Sequence, residues 1–465
     1  MVFNEHLWDK MEEECGVFGV FSTQNIDTFS LMEFGLFALQ HRGQEACGLS
    51  VVKNHQMETF KRNGLVLDVF KAIESIDDFQ GNAAIGHTRY STCGGNRRVN
   101  IQPLYAQDYM GEAFVSVAHN GNLINDKILR KELDSLGVNF LASSDTEVIL
   151  RLIQHYSHQF DLIEATQKAI NRIKGAFSLL ILTKNELIAL RDPNGIRPLC
   201  YGVLEDGTYI FSSETCGLDA VGATFVRDVL PGEMIIVNKN GLSSIIYAEQ
   251  PKPRTCAFEY IYFARPDSVL DTQEVYETRV EAGKKLYLQN PIEADVVIGV
   301  PDSGVPAAIG FSEASGIPFQ PILIKNRYIS RSFIVPTQEM RDRIVNLKLN
   351  PILSKIKGKR VVVLDDSIVR GTTSKRLVKI LKEAGAKEIH FRSASPPIIA
   401  PCFLGIDTPN KSELIASNLS HQELTDYLGV DSLDFLSLEN LIKILKTENH
   451  CFGCFTEKYP VSLEG

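Results

Sequence analysis

Three glutamates run into a cysteine at Met11–Val20, MEEECGVFGV, and a small apolar strand follows. A cysteine nucleophile needs a base to make thiolate, donors for a tetrahedral oxyanion and groups that hold the substrate. No histidine adjoins Cys15, although His41, His87 and His119 could reach it in space. A cut between Glu14 and Cys15 offers another base. The new α-amine would have a pKa of about 7.7–8 and would already stand beside the sulfur. Three further stretches follow in order: GHTRYSTCG (Gly86–Gly94), AHNGNL (Ala118–Leu123) and SSDTEVI (Ser143–Ile149).

A second chemical centre lies far downstream, in VVVLDDSIVRGTTSKRLVKILKEAGA (Val361–Ala386). An apolar strand ends in Asp365 and Asp366. Ser367, Arg370, Gly371, Thr372 and Thr373 come next, and Leu377, Ile380, Leu381 and Ala384 then fall at helical spacing. Acids at the carboxyl end of a parallel strand sit where α/β sheets bind ligands. A loop of glycine and hydroxyls at a helix N-terminus offers N–H donors to phosphate. Adjacent carboxylates suit ribose hydroxyls or a hydrated Mg²⁺.

The elements that must position these groups divide the chain in two. Up to about residue 250, short strand-like runs such as CGVFGVF, AAIGHTRY, AFVSVAHNG and AFSLLILT alternate with turns, and a helix is expected over Thr146–Gln159. Stacked antiparallel sheets flanked by helices follow from that pattern. Pro251 and Pro253 mark a linker. Beyond it, ADVVIGV and KRVVVLDD are apolar on both faces and lead into helices, which predicts a parallel sheet of βα units. Leu424–Lys446 reads as helical and runs into CFGC.

The downstream stretch resembles the phosphoribosyl-diphosphate (PRPP) signature of the type I phosphoribosyltransferases. The resemblance implies that Asp365 and Asp366 hold the ribose hydroxyls and the metal, and that Ser367 to Thr373 wrap the 5′-phosphate. GVPDSGVPAAIGF is similar to that fold's pyrophosphate loop, with Asp302, Ser303 and Gly304, and Ser303 would help to ligate Mg²⁺. Ile324–Pro336 looks like a mobile lid carrying Lys325, Arg327 and Arg331.

The upstream motifs, with LQHRGQEACGL (Leu39–Leu49), resemble the N-terminal-nucleophile glutamine amidotransferases. The resemblance implies Cys15 as nucleophile, the Asn120 side chain and the Gly121 N–H as oxyanion donors, Arg89 on the glutamine carboxylate and Asp145 on its α-amine. The residue types agree with those roles. The expected fold is thus two-domain, α+β and α/β: an Ntn-hydrolase αββα sandwich over 15–250 and a type I phosphoribosyltransferase parallel sheet with a helical tail over 251–465. Residues 1–14 are a propeptide on this reading.

Taken whole, the chain from Cys15 is similar to the family of glutamine phosphoribosylpyrophosphate amidotransferases, through RDPNGIRPL (Arg191–Leu199), SSET (Ser212–Thr215) and FEYIYFARPDS (Phe258–Ser268) as well. That implies glutamine, PRPP and water giving 5-phosphoribosylamine, glutamate and pyrophosphate, the committed step of purine synthesis. Ammonia must cross between sites unprotonated, and Tyr90, Tyr328 and Phe333 are candidates for the tunnel wall. The family also implies a homotetramer and feedback inhibition by AMP and GMP.

Nine cysteines in 465 residues, with no secretory signal, suit thiols of a reducing cytoplasm. Cys451 and Cys454 form C-x-x-C, and Cys256 and Cys402 stand in suggestive places; four thiolates could bind zinc or a 4Fe–4S cluster. The resemblance favours the cluster, because one lineage of the family carries both cluster and propeptide. Cys47, Cys93, Cys200 and Cys216 are read as packing. A net charge of -9 argues against a non-specific nucleic-acid binder. No apolar run approaches the roughly 20 residues of a membrane helix. A sugar-phosphate synthase of the same glutaminase class would need isomerase domains where the PRPP stretch stands. A PRPP-sensing regulator would need a basic DNA-binding helix. A nucleobase salvage transferase would leave the glutaminase motifs without a purpose.

Overall fold

The computed structural model describes residues 15–90, 97–107, 110–326, 349–408 and 410–462. Met1–Glu14, Cys93 and the lid residues Arg327, Tyr328, Arg331 and Phe333 lie outside the described residues.

The first half is a sandwich of two antiparallel sheets. In the seven-stranded sheet, Gly16–Ile26 lies between Tyr209–Ser212 and Gly81–Arg89, and Ala46–Lys53 and the edge strand Gln56–Asn63 follow. In the six-stranded sheet, Gly175–Thr183 lies between Leu187–Arg191 and Ala113–Leu123. Strand alternation explains the layering. Val17 and Phe21 face the second sheet, whereas Phe18 and Val20 face the outer layer built by the helix Thr28–Ala38. That helix packs so close that a Cβ on Gly35 would stand 2.2 Å from the Phe18 ring. The helices Asp145–Ser157 and Leu162–Ile170 cover the other sheet, with Val148, Ile149, Leu152 and Ile153 buried against it. Each such apolar side chain contributes about 1.5–3 kcal/mol on burial.

The second half carries a four-stranded parallel sheet in the order Val296–Gly299, Arg360–Asp365, Glu388–Ser393, Ser432–Phe435. Both faces are covered, as the apolar runs require: Val361 and Val363 pack on one side, Val362 and Leu364 on the other. The expected single helix over Leu424–Lys446 is corrected. The chain forms helices His421–Leu428 and Leu438–Ile444, with the fourth strand, Ser432–Phe435, between them. Gly429 ends the first helix at φ +70°, a conformation open to glycine, and SLDF then alternates like a strand.

The halves share one core. Ala176 and Ile196 from the first pack with Phe258, Tyr260, Ile398 and Leu404 from the second. Ion pairs cross the same seam: the buried pair Arg42 to Glu259 at 2.8 Å, and buried Arg191 to the half-buried Asp271 at 2.9 Å.

Candidate active sites

Cys15 stands at the mouth of the first sandwich. Gly16 pairs with Thr88 across the antiparallel ladder, so Cys15 and Arg89 are the next positions along it. Its thiol donates to the Tyr90 carbonyl at 3.5 Å, and its own carbonyl accepts from Arg42 Nε at 3.2 Å. Burial pushes the thiol up to about 12; Arg89 and Arg42 pull it down, and Asp145 and Glu45 push it further up. The candidate groups from three motifs are therefore electrostatic neighbours of one sulfur.

Asp145 begins the helix Asp145–Ser157, where its oxygens accept from Leu123 N at 2.9 Å and Thr146 N at 2.8 Å. That leaves an oriented carboxylate at a helix N-terminus. Asn120 and Gly121 lie on Ala113–Leu123, opposite Ser178 and Phe177. Asn120 is 1% exposed, and neither its Oδ1 nor its Nδ2 has a partner among the described residues. A buried amide left unsatisfied costs about 1–3 kcal/mol, so this one is kept for something that binds.

Each of the three histidines has a neighbour at one ring nitrogen, while His87 Nδ1 and His119 Nε2 are buried without a partner among the described residues. His41 Nε2 is paired with Glu214 at 2.7 Å. His87 Nε2 meets the His119 carbonyl at 3.1 Å, and burial and Arg89 push His87 down to about 3, too weak a base for a thiol. His119 Nδ1 lies 3.3 Å from Thr146 Oγ1 and 3.7 Å from Asp145.

The second site lies at the carboxyl ends of two adjacent parallel strands. Asp366 accepts from Ser367 Oγ at 2.7 Å and from Ser303 Oγ, which joins the two loops. The Asp366 N–H donates to Asp365 at 2.9 Å, and Lys325 Nζ donates to Asp302 at 2.8 Å. Gly304 fits only as glycine, since a Cβ there would meet the Leu364 carbonyl at 2.4 Å. Gly371, at φ +77°, opens the helix Thr372–Glu383, so Thr372 and Thr373 form its first turn. Arg370 Nε lies 3.4 Å from Glu413. Sequence reasoning missed a narrow cavity inside the second half, beside this site, whose lining includes Tyr260, Ile261, Arg279, Ser303, Asp366 and Leu441. Its signal was FEYIYFARPDS, which folds as a π-helical turn over Glu259–Phe263.

Cys256, Cys402, Cys451 and Cys454 also come together. Cys256 and Cys451 are direct partners in a short parallel pair, and Cys454 follows in Gly453–Thr456. Burial pushes Cys451 up to about 12, and Cys402 raises it further; Cys256 and Cys454 are likewise raised by burial and by Cys402 and Cys451. All four are free thiols. Among the described residues no group of three or more His, Cys, Asp or Glu side chains is disposed to hold a metal ion. Four cysteine thiolates are the donor set that would hold an iron–sulfur cluster.

Comparison with known proteins agrees with this division. Residues 87–220 match the glutamine amidotransferase domain family and residues 267–393 the phosphoribosyl transferase domain family. The chain is 46% identical to the amidophosphoribosyltransferase of Synechococcus elongatus over 461 residues, covering 98% of this chain and 93% of that one. It is 45% identical to that of Methanocaldococcus jannaschii, covering 97% and 98%. The solved structure of Bacillus subtilis glutamine PRPP amidotransferase with ADP and GMP superposes with a TM-score of 0.91 at 44% identity, covering 97% of this chain and 98% of that one. Fold and sites thus define a glutamine amidotransferase fused to a phosphoribosyltransferase. The chain belongs to the amidophosphoribosyltransferase family, and its activity is glutamine-dependent amidotransfer to PRPP in purine biosynthesis. Among the described residues no helix is long and apolar enough to cross a membrane.

Proposed function

We propose that Cys15 attacks the glutamine side-chain amide after residues 1–14 are removed, with its own α-amine as the base. The observation that carries this is the buried, unpartnered Asn120 amide on the strand that also bears Gly121. Asn120 Nδ2 and the Gly121 N–H donate to the tetrahedral oxyanion, Arg89 holds the glutamine carboxylate and Asp145 its ammonium. Collapse releases ammonia and leaves a thioester, which water hydrolyses to glutamate. The pairing of His41 with Glu214 and the burial that lowers the basicity of His87 and His119 support the α-amine as base.

At the other site Asp365 and Asp366 hold the ribose hydroxyls. Ser367, Arg370, Gly371, Thr372 and Thr373 receive the 5′-phosphate at the helix N-terminus, while Asp302, Ser303, Gly304 and Lys325 hold the pyrophosphate. The oxygen donors of Ser303, Asp365 and Asp366 suit Mg²⁺, which binds through one or two carboxylates and keeps its waters. When bound, it neutralises charge on the departing pyrophosphate. The cavity beside Tyr260 and Ile261 serves as the last stretch of the ammonia path.

Cys256, Cys402, Cys451 and Cys454 hold one 4Fe–4S cluster, which ties the linker and the tail together. Feedback by AMP and GMP belongs to this reading, and the Bacillus subtilis structure with ADP and GMP supports a purine-nucleotide site. We assign it as a cytoplasmic homotetramer, with the domains divided at 250/251.

The deciding experiment is an intact mass on protein purified without air, paired with glutaminase assays and iron and sulfide analysis. A mass starting at Cys15 in glutaminase-active protein is expected. Full glutaminase activity in protein retaining Met1–Glu14 overturns the α-amine assignment, and stoichiometric zinc overturns the cluster.

A further inference from the structure

We infer that the transferase-half loop Cys402–Gly405 is a positioning element for the glutaminase oxyanion strand, with Gly405 as its contact point. The inference rests on Gly121 acting as an oxyanion donor. Gly405 has φ +113°, and a Cβ there would stand 3.2 Å from Gly121 Cα and carbonyl carbon and 3.2 Å from Arg197 Nε. Gly121 has φ +147°, and a Cβ on it would lie 2.0 Å from the Ala176 carbonyl. The Gly121 backbone is therefore clasped between its sheet partner and Gly405.

Hydrogen bonds secure the clasp. Asn122 Nδ2 donates to the Phe403 carbonyl at 2.9 Å, and Arg197 Nε donates to the Leu404 carbonyl at 2.9 Å. The loop is braced internally by Cys402 N to Thr408 Oγ1 at 2.6 Å and Leu404 N to Cys402 Sγ at 3.3 Å.

A backbone donor has no side-chain torsion with which to adjust. Its direction is that of the peptide plane, set by whatever holds the chain on either side. Oxyanion donors act only when aimed within a few tenths of an ångström of the developing charge. For Gly121, one side of that support comes from a loop some 280 residues downstream.

The test uses full-length Gly405→Ala and Asn122→Ala proteins purified without air. Glutamine hydrolysis, and pyrophosphate release from PRPP with ammonium as nitrogen source, are measured on each. Gly405→Ala is expected to lower the glutaminase kcat about tenfold or more, and Asn122→Ala about threefold to tenfold, with KM for glutamine and the ammonia-dependent rate nearly unchanged. An aldehyde analogue of glutamine, which forms a tetrahedral adduct with the cysteine, should lose affinity by the same factor, while glutamate binding holds. Unchanged glutaminase kcat in Asn122→Ala overturns the inference, as does an equal loss of the ammonia-dependent rate in both variants. Should Gly405→Ala fail to fold, Asn122→Ala decides alone. Retained glutamine hydrolysis in Cys15→Ala would instead sink the assignment of the nucleophile on which the inference rests.

Discussion

The two sites solve opposite problems of readiness. In the glutaminase half the candidate groups lie on strand ends and at a helix start inside a rigid double sheet. Asn120 is buried there with neither amide atom partnered among the described residues. In the transferase half, groups from two neighbouring loops and a strand satisfy one another: Asp366 takes Ser303 and Ser367, and Lys325 takes Asp302. A ligand group meeting Asn120 displaces no hydrogen bond to it, whereas one meeting Asp366 must exchange partners. Substitution of Asn120 should therefore act on kcat, and substitution of Asp366 on affinity for PRPP and Mg²⁺.

The widest separation is expected from Cys15→Ala. Glutamine hydrolysis should fall by about a thousandfold or more, while pyrophosphate release with ammonium continues. Loss of both reactions would show that the halves are not separable and would break the comparison. Next comes Asn120→Ala, with a fall of about 10²–10³ in glutaminase kcat and little change in KM, which steady-state kinetics on glutamine reads directly. A rise in KM alone would mean that Asn120 holds ground-state substrate.

Asp366→Asn probes the other kind of site. It removes a charge yet keeps the shape that Ser303 and Ser367 bind. KM for PRPP should rise about tenfold with either nitrogen source, and the Mg²⁺ requirement should shift upward, while glutamine hydrolysis without PRPP persists. Titrating pyrophosphate release against Mg²⁺ checks this. An unaltered Mg²⁺ dependence would leave Asp366 a purely structural acid.

Much of this contrast was legible in the residues. LDDSIVRGTTS carries its own geometry: an apolar run ending in acids must be a strand end, and glycine with two threonines before helical spacing must be a helix start. The glutaminase motifs were equally readable, because each contributes one charge or donor type. What escaped was everything that depends on long-range partners. Edge strands such as Gln56–Asn63 and Thr224–Asp228 are too polar or too exposed to stand out by alternation. The strand Ser432–Phe435 was hidden in a helical background, since its pairing with Glu388–Ser393 is a tertiary fact. The clasp of Gly405 on Gly121 and the ion pair of Arg42 with Glu259 join residues more than 200 positions apart, which no local pattern encodes.

The smallest effect concerns the seam itself, which lets one half be prebuilt while the other adjusts. Asp228 sits at this seam; burial and the neighbouring Asp271 hold its carboxyl up at about 7, against the pull of Arg191. Asp271 is held low by the same Arg191, so the cation cannot serve both acids fully. An acid whose folded value is raised contributes its stability below the unfolded value near 4 and loses it as pH climbs through the folded value. Above pH 7 the ionised Asp228 is thus a net cost at the seam. Asp228→Asn, which keeps shape and removes that cost, should gain on the native chain between pH 4 and 7 and level off above. Water access and the shared arginine reduce the full linkage to about 1–2 kcal/mol at pH 8. Urea unfolding at pH 5 and pH 8 reads the difference. A gap between the two proteins that stays constant with pH would show that Asp228 titrates normally and that Arg191 satisfies both acids.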